Sequence, residues 1–150
     1  MPTTGATRGQ HPERDHQMQK DEKEIRDLID TWMHATSAGD LDQVLSLMAE
    51  DVVFLIPGQP PMRGKDEFAR GFRIALQHVR IESRCEIQEI KFAGDWAYCW
   101  NHLWVMVTPL KGSPQRREGY TLSIFGKDSE GDWLLVRDAN MLTLEPPACR

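Results

Sequence analysis

The closing apolar segment, Trp133 to Leu142, carries Arg137, Asp138 and Asn140 in the middle of what otherwise reads as a buried strand. Side chains alternate along a strand, so Asp138 and Asn140 share one side. Placing a carboxylate and an amide in an interior costs several kcal/mol unless each finds a partner or water. Such a pair survives most readily where a cavity admits a ligand. The alternative is an edge strand with a wet polar side. It sits badly with Leu134, Val136 and Leu142, which strict alternation puts on that same side. Asp138 is the candidate general base and Asn140 a candidate ligand contact.

Three further residues could join them. His102 lies among Trp96, Trp100 and Trp104. It reads first as a packed core residue; as a proton shuttle it needs a carboxylate to orient it, and Asp138 is the candidate. Arg117 is either an exposed charge beside Arg116 or an inward partner for Asp138. In the second case the pair stays ionised and offers a carboxylate that could activate water. Trp100 and Trp104 form an apolar wall or, around a pocket, a surface for a flat hydrophobic ligand. No second His or Cys stands at a ligand spacing, so neither a metal nor a cofactor is expected.

The bulk composition narrows the class. A chain of 150 residues suits one domain with a real core. The net charge of −5 and the absence of a basic stripe argue against nucleic acid. No apolar run approaches the ~20 residues of a membrane span. Cys85, Cys99 and Cys149 are an odd set without metal spacing, which suits a reduced, cytoplasmic setting, the alternative being a secreted protein with a free thiol. Met1–Gln19 has almost nothing to bury and is expected to be a disordered tail before a single domain, Lys20–Arg150.

These candidates must be held by a definite set of elements. Ile25, Leu28, Ile29 and Trp32 repeat at helical spacing and predict a helix over Asp21–Ala38. Gly39 stops it, and Asp40 with Gln43 forms a capping pattern for a short second helix, Leu41–Met48. A strand over Val52–Ile56 follows. Gln59 to Gly64 holds too much proline for a ladder and is expected to be a loop. A third helix, Lys65–Val79, precedes four antiparallel strands, roughly Arg80–Phe92, Trp96–Thr108, Arg116–Phe125 and Trp133–Leu144. Helices first and a meander afterwards is an α+β pattern.

The second long strand is apolar on both sides. Trp96, Tyr98, Trp100, His102, Trp104 and Met106 occupy one, and Ala97, Cys99, Asn101, Leu103, Val105 and Val107 the other. The helices cover only one side, so the second is expected to pair with another copy of the chain. Leu103, Val105 and Val107, with Leu122 or Tyr120, are the expected contact.

This order of elements, with Ala38-Gly39-Asp40-Leu41, Met48-Ala49-Glu50-Asp51-Val52, Pro57 to Gly64, Gly94-Asp95-Trp96-Ala97-Tyr98 and the closing Trp133 strand, resembles the nuclear transport factor 2-like superfamily. The resemblance runs from about Asp21 to Leu144 and is to the small bacterial branch of steroid isomerase-like and polyketide cyclase-like proteins. It implies a cone: three N-terminal helices packed in a strongly curved, mostly antiparallel sheet, with a pocket at the wide end and a convex face that pairs two subunits. It also implies that Trp32, Phe54, Ile56, Phe72, Trp100, His102, Trp104, Arg117, Thr121, Ser123, Val136, Asp138 and Asn140 surround the pocket. The steroid isomerases' base, tyrosine and acid positions hold Ile56, Trp32 and Thr121 here, which excludes their mechanism. The epoxide hydrolases of the superfamily use an Asp–Arg–Asp set, of which only Asp138 and Arg117 are evident.

The reading is therefore a homodimeric small-molecule-binding domain with an apolar pocket and a polar floor. As an enzyme it is a cofactor-free isomerase, cyclase or hydrolase of a hydrophobic metabolite. The rival is a binding or dimerisation module of the same fold without catalysis.

Overall fold

The computed structural model describes residues 12–146. Its elements are α1 (Pro12–Ala38), α2 (Leu41–Ser46), β1 (Met48–Leu55), β2 (Met62–Arg63), α3 (Gly64–His78), β3 (Val79–Ala93), β4 (Trp96–Pro109), β5 (Gln115–Lys127), β6 (Trp133–Asn140) and β7 (Thr143–Leu144). One sheet runs β2-β1-β6-β5-β4-β3, with β7 pairing onto β5. All pairings are antiparallel except β1 with β6. The expected α+β class and its mostly antiparallel sheet are what the chain forms.

Local differences have local causes. α1 begins at Pro12, so residues 12–19 are its exposed first turns and not part of a disordered tail. Proline suits the first helical turn, and the Glu, Arg, Gln, Met and Lys that follow are good helix formers needing no burial. The remainder of the expected tail, residues 1–11, lies outside the described residues. The proline-rich loop does end in a short ladder, because Met62 and Arg63 come after its last proline and pair with Phe54 and Val53. Gly39, at φ +70, ends α1, and the Asp40 carboxylate accepts from the Gln43 N–H at 3.2 Å, as the capping pattern predicts.

A buried tie fastens α1 to the sheet. Asp21 accepts from Trp133 Nε1 at 3.1 Å and Gln17 Nε2 at 3.0 Å, and Lys127 Nζ stands 3.1 Å away. Burial alone would raise the Asp21 pKa; these partners outweigh it and hold the carboxyl below its usual range.

Two bulges decide which side chains look inward. In β3, Ile87 pairs with Asn101 and Glu89 with Trp100, leaving Gln88 as an extra residue. Glu82, Arg84 and Glu86 face outward before it, and the step restores Ile90 and Phe92 to the covered side. In β6, Ile124 pairs with Arg137 and Phe125 with Leu135, so Val136 is the extra residue. Trp133 and Leu135 face the core before it, and Asp138 and Asn140 face the same side after it. Strict alternation would have put Val136 with Asp138, and that expectation is overturned by the bulge. Val136 instead lies on the outer side, where its Cγ2 stands 3.2 Å from the position of a Cβ added at Gly126.

The last expected strand breaks after Asn140, and the chain crosses β5 at Gly119. A Cβ placed there would lie 2.6 Å from the Met141 carbonyl oxygen and 3.0 Å from Leu142 Cα. Both contacts are backbone, so neither yields easily. Gly119→Ala should lower stability by about 1–3 kcal/mol, the range for overpacking, read as a fall in melting temperature by circular dichroism. An unchanged melting temperature would mean that the crossover is looser than its geometry.

Candidate active site

The inward side chains of β4, β5 and β6 form two cross-strand rows. Asn101, Thr121 and Asn140 make one row; Cys99, Ser123 and Asp138 make the other. Residues directly opposite on antiparallel strands share a face and touch. The floor is therefore a patch of six small or polar groups in an otherwise apolar interior. Above it, Trp32 of α1, Phe54 of β1 and Phe68 of α3 form an aromatic wall, with ring centroids 4.9 to 6.1 Å apart. Floor and wall enclose a cavity of about 250 Å³.

Among the described residues Asp138 is the only carboxylate on the cavity lining, and no Lys, Arg or His of theirs lines it. One oxygen accepts from Ser123 Oγ at 2.6 Å. The second has no hydrogen bond from a protein group among the described residues. Burial without a counter-ion disfavours the charge and lifts the pKa from 3.8 to about 6, with Ser123 opposing the rise. Asp138 is thus a carboxyl group that titrates near neutrality inside an apolar cavity, the requirement for a general base or acid at neutral pH.

Two thiols border the floor. Cys85 lines the cavity, and burial with the nearby charges of Asp30 and Asp138 pushes it up to about 11. Burial pushes Cys99 up to about 12. Both stay protonated at neutral pH and are poor nucleophiles.

The SnoaL-like domain family matches residues 29–132, which is most of the chain. The chain belongs to the SnoaL-like domain family. A conserved protein from Planctomyces limnophilus DSM 3776 is 38% identical, with TM-score 0.81, over 85% of this chain and 99% of that one. A ketosteroid isomerase-like protein from Erwinia carotovora atroseptica SCRI1043 is 24% identical, with TM-score 0.69, over 82% and 95%. A hexachlorocyclohexane dehydrochlorinase (type 2) is 12% identical, with TM-score 0.77, over 89% and 95%, and shows the shared fold alone. No curated protein matches in sequence.

In this SnoaL-like domain the expected site residues divide by face. Asp138, Asn140, Thr121, Trp32, Phe54 and Ile56 line the cavity. Phe72 is buried, stacked 5.7 Å from Phe68, but stands behind the wall and not on the lining. Trp100, His102 and Trp104 are on the outer side of the sheet, contrary to the expectation. Their cross-strand partners are Leu122, Tyr120 and Glu118, which alternate with the cavity residues Thr121 and Ser123. His102 is stacked on Trp104 at 3.8 Å, and its Nε2 lies 3.5 Å from Glu118 Oε1. It is remote from Asp138's face and cannot serve it as a shuttle. Arg117 is exposed at the far end of β5, paired in register with Val105 and Leu144, and does not reach Asp138. The Asp–Arg arrangement of epoxide hydrolases is not assembled here.

Asn101 and Cys85 are the chemically notable lining residues that the sequence reading missed. The signal was present in β3, whose charged residues Glu82, Arg84 and Glu86 mark an outer side. Across the hairpin they pair with Met106, Trp104 and His102. That pairing sends Asn101 and Leu103 inward. No helix among the described residues is long and apolar enough to cross a membrane.

The electrostatics of Asp138 predict a pH-dependent stability. Its folded pKa is raised, so the folded state holds the proton more tightly than the unfolded chain. The advantage is full at low pH and is lost as pH rises through about 6. At about 1.4 kcal/mol per pH unit, the rise from 3.8 to about 6 destabilises the ionised protein by up to roughly 3 kcal/mol. Asp138→Asn should therefore melt higher than wild type near pH 8, with the gap closing toward about pH 4. A gap independent of pH would show that the carboxyl is not ionising in a desolvated place.

Proposed function

We propose that this SnoaL-like domain is a cofactor-free proton-transfer enzyme of the isomerase or dehydratase type, acting on a small, uncharged, hydrophobic molecule. The observation that carries the reading is Asp138: a carboxyl near pKa 6, held by Ser123 on one oxygen and open to an apolar cavity on the other. The carboxylate takes a proton from a carbon next to a carbonyl, and the C–H electron pair moves into an enolate. Where a C=C bond adjoins that carbon the enolate is a dienolate, and Asp138 returns the proton to the far carbon of that bond, which shifts the double bond and isomerises the substrate. Alternatively it gives the proton to a departing hydroxyl, which dehydrates it. The names of fold relatives, ketosteroid isomerase-like and dehydrochlorinase, support a fold suited to proton abstraction from carbon. Two protonated cavity-side thiols suit a reducing, cytoplasmic setting.

β-Tetralone is a neutral bicyclic ketone small enough for the cavity, and its benzylic protons are acidic. Wild-type protein in D2O should speed their exchange for deuterium, followed by NMR, with a rate rising through about pH 6. Asp138→Asn should lose that acceleration while remaining folded. Equal exchange in the variant would remove Asp138 from the chemistry.

A second property goes with this reading. The outer side of the sheet exposes Trp96, Tyr98, Trp100, Tyr120 and Leu122, with Trp96 at 53% of its full surface and Trp100 at 38%. A contiguous aromatic patch of this kind is costly in water and is covered most simply by a second copy. The contact would use these residues and not the inward Leu103. Trp100→Glu should convert dimers to monomers by light scattering with cavity binding retained. An unchanged mass would place the interface elsewhere.

A further inference from the structure

Beside Asp138 runs a chain of hydrogen bonds that no packing need explains. The Cys99 thiol, fully buried, donates to Asn101 Oδ1 at 3.1 Å. Asn101 Nδ2, also buried, donates to Thr121 Oγ1 at 3.2 Å. The direction is set from the inner end: a protonated thiol takes the amide oxygen, which leaves the amide N–H₂ to face Thr121. The Thr121 oxygen is thereby an acceptor, and its own proton must go elsewhere. Among the described residues it donates to no protein group, and the side of Thr121 that is open is the cavity. Among the described residues the Thr121 hydroxyl proton and the second Asn101 N–H both lack a protein acceptor beside the cavity, which is expensive unless something completes the chain.

We infer that Thr121 is a dedicated hydrogen-bond donor to a carbonyl oxygen of the ligand, with Asn101 and Cys99 as positioning residues behind it. The inference rests on the reading of Asp138 as the base and names the substrate class: an uncharged ketone or related carbonyl compound. Thr121 and Asp138 are diagonal neighbours across β5 and β6, because Asp138 stands opposite Ser123, two residues on from Thr121. Diagonal neighbours lie about 7–8 Å apart. That span fits a hydrogen bond, a carbonyl with its adjacent carbon, and the approach of that carbon's proton to the carboxylate. Asn140, opposite Thr121 and without a side-chain partner among the described residues, stands where it can share the same oxygen. As the proton leaves the carbon, negative charge gathers on that oxygen, so the donors act most strongly in the transition state. An anionic ligand finds no cation among the described lining residues and would meet Asp138.

The test reads the carbonyl directly. The infrared C=O stretch of bound β-tetralone should be lower than that of the ketone in hexane. Thr121→Val should move it back up and weaken binding roughly 3- to 10-fold, the value of one hydrogen bond, while naphthalene, which has no carbonyl, binds both proteins alike. Thr121→Ser should keep the lowered stretch. Asn101→Asp supplies an acceptor to Thr121, turns its hydroxyl inward, and should raise the stretch without changing naphthalene binding. A stretch that Thr121→Val leaves unmoved, or a ketone that does not bind, overturns the inference. The Asp138→Asn protein separates the two claims, because it should keep the lowered stretch and lose only deuterium exchange. A wild type with the lowered stretch and no exchange would overturn the base and leave the donor standing.

Discussion

The single extra residue at Val136 sets the character of the whole site. Before it, β6 presents Trp133 and Leu135 to the core; after it, the same face presents Asp138 and Asn140. Without the bulge, strict alternation would turn the face of Trp133 and Leu135 into that of Arg137 and Ala139. Asp138 would then point to the outer side, into the company of Val136 and Leu134. A bulge changes the phase of a strand without ending its ladder. Here it lets one strand seal the apolar end of the interior and furnish the polar floor.

That floor is held against a substantial electrostatic cost. Asp138 is desolvated and has no cation beside it among the described residues, so its ionised form strains the fold. The compensation lies elsewhere in the molecule. At the Asp21 tie a carboxylate is also taken from water, but it has Trp133, Lys127 and Gln17 as partners and is favoured in its charged form. The contrast between the two aspartates is informative: the one with partners fastens α1 to the sheet, and the one without a counter-ion among the described residues faces the cavity. Unsatisfied groups of that kind are retained where chemistry uses them.

Much of the fold was legible because its signals are local. The helical spacing of Ile25, Leu28, Ile29 and Trp32, the Gly39 stop and the Asp40 cap are each read within a few residues. Trp32, Phe54, Ile56, Thr121, Asp138 and Asn140 line the cavity. The face of β4 was not legible, and the reason is that both of its faces are aromatic or aliphatic. Neither Trp100 nor Leu103 declares a side by itself. Only register, carried across the hairpin from Glu82, Arg84 and Glu86, assigns them, and the bulge at Gln88 hides that register from a strict count of two. Complementary charge and the resemblance both drew Arg117 to Asp138, whereas its pairing with Leu144 holds it at the exposed end of β5. Complementary charge says which residues could pair; the ladder decides whether they meet.

The central claim is that Asp138 ionises near neutrality because it is desolvated and lacks a counter-ion. An isotope-edited NMR titration of the Asp138 side-chain carboxyl carbon tests it most directly. The account predicts a midpoint near 6. A midpoint in the ordinary aspartate range, around 3.9, would mean that water or a cation reaches the carboxylate, and would contradict it.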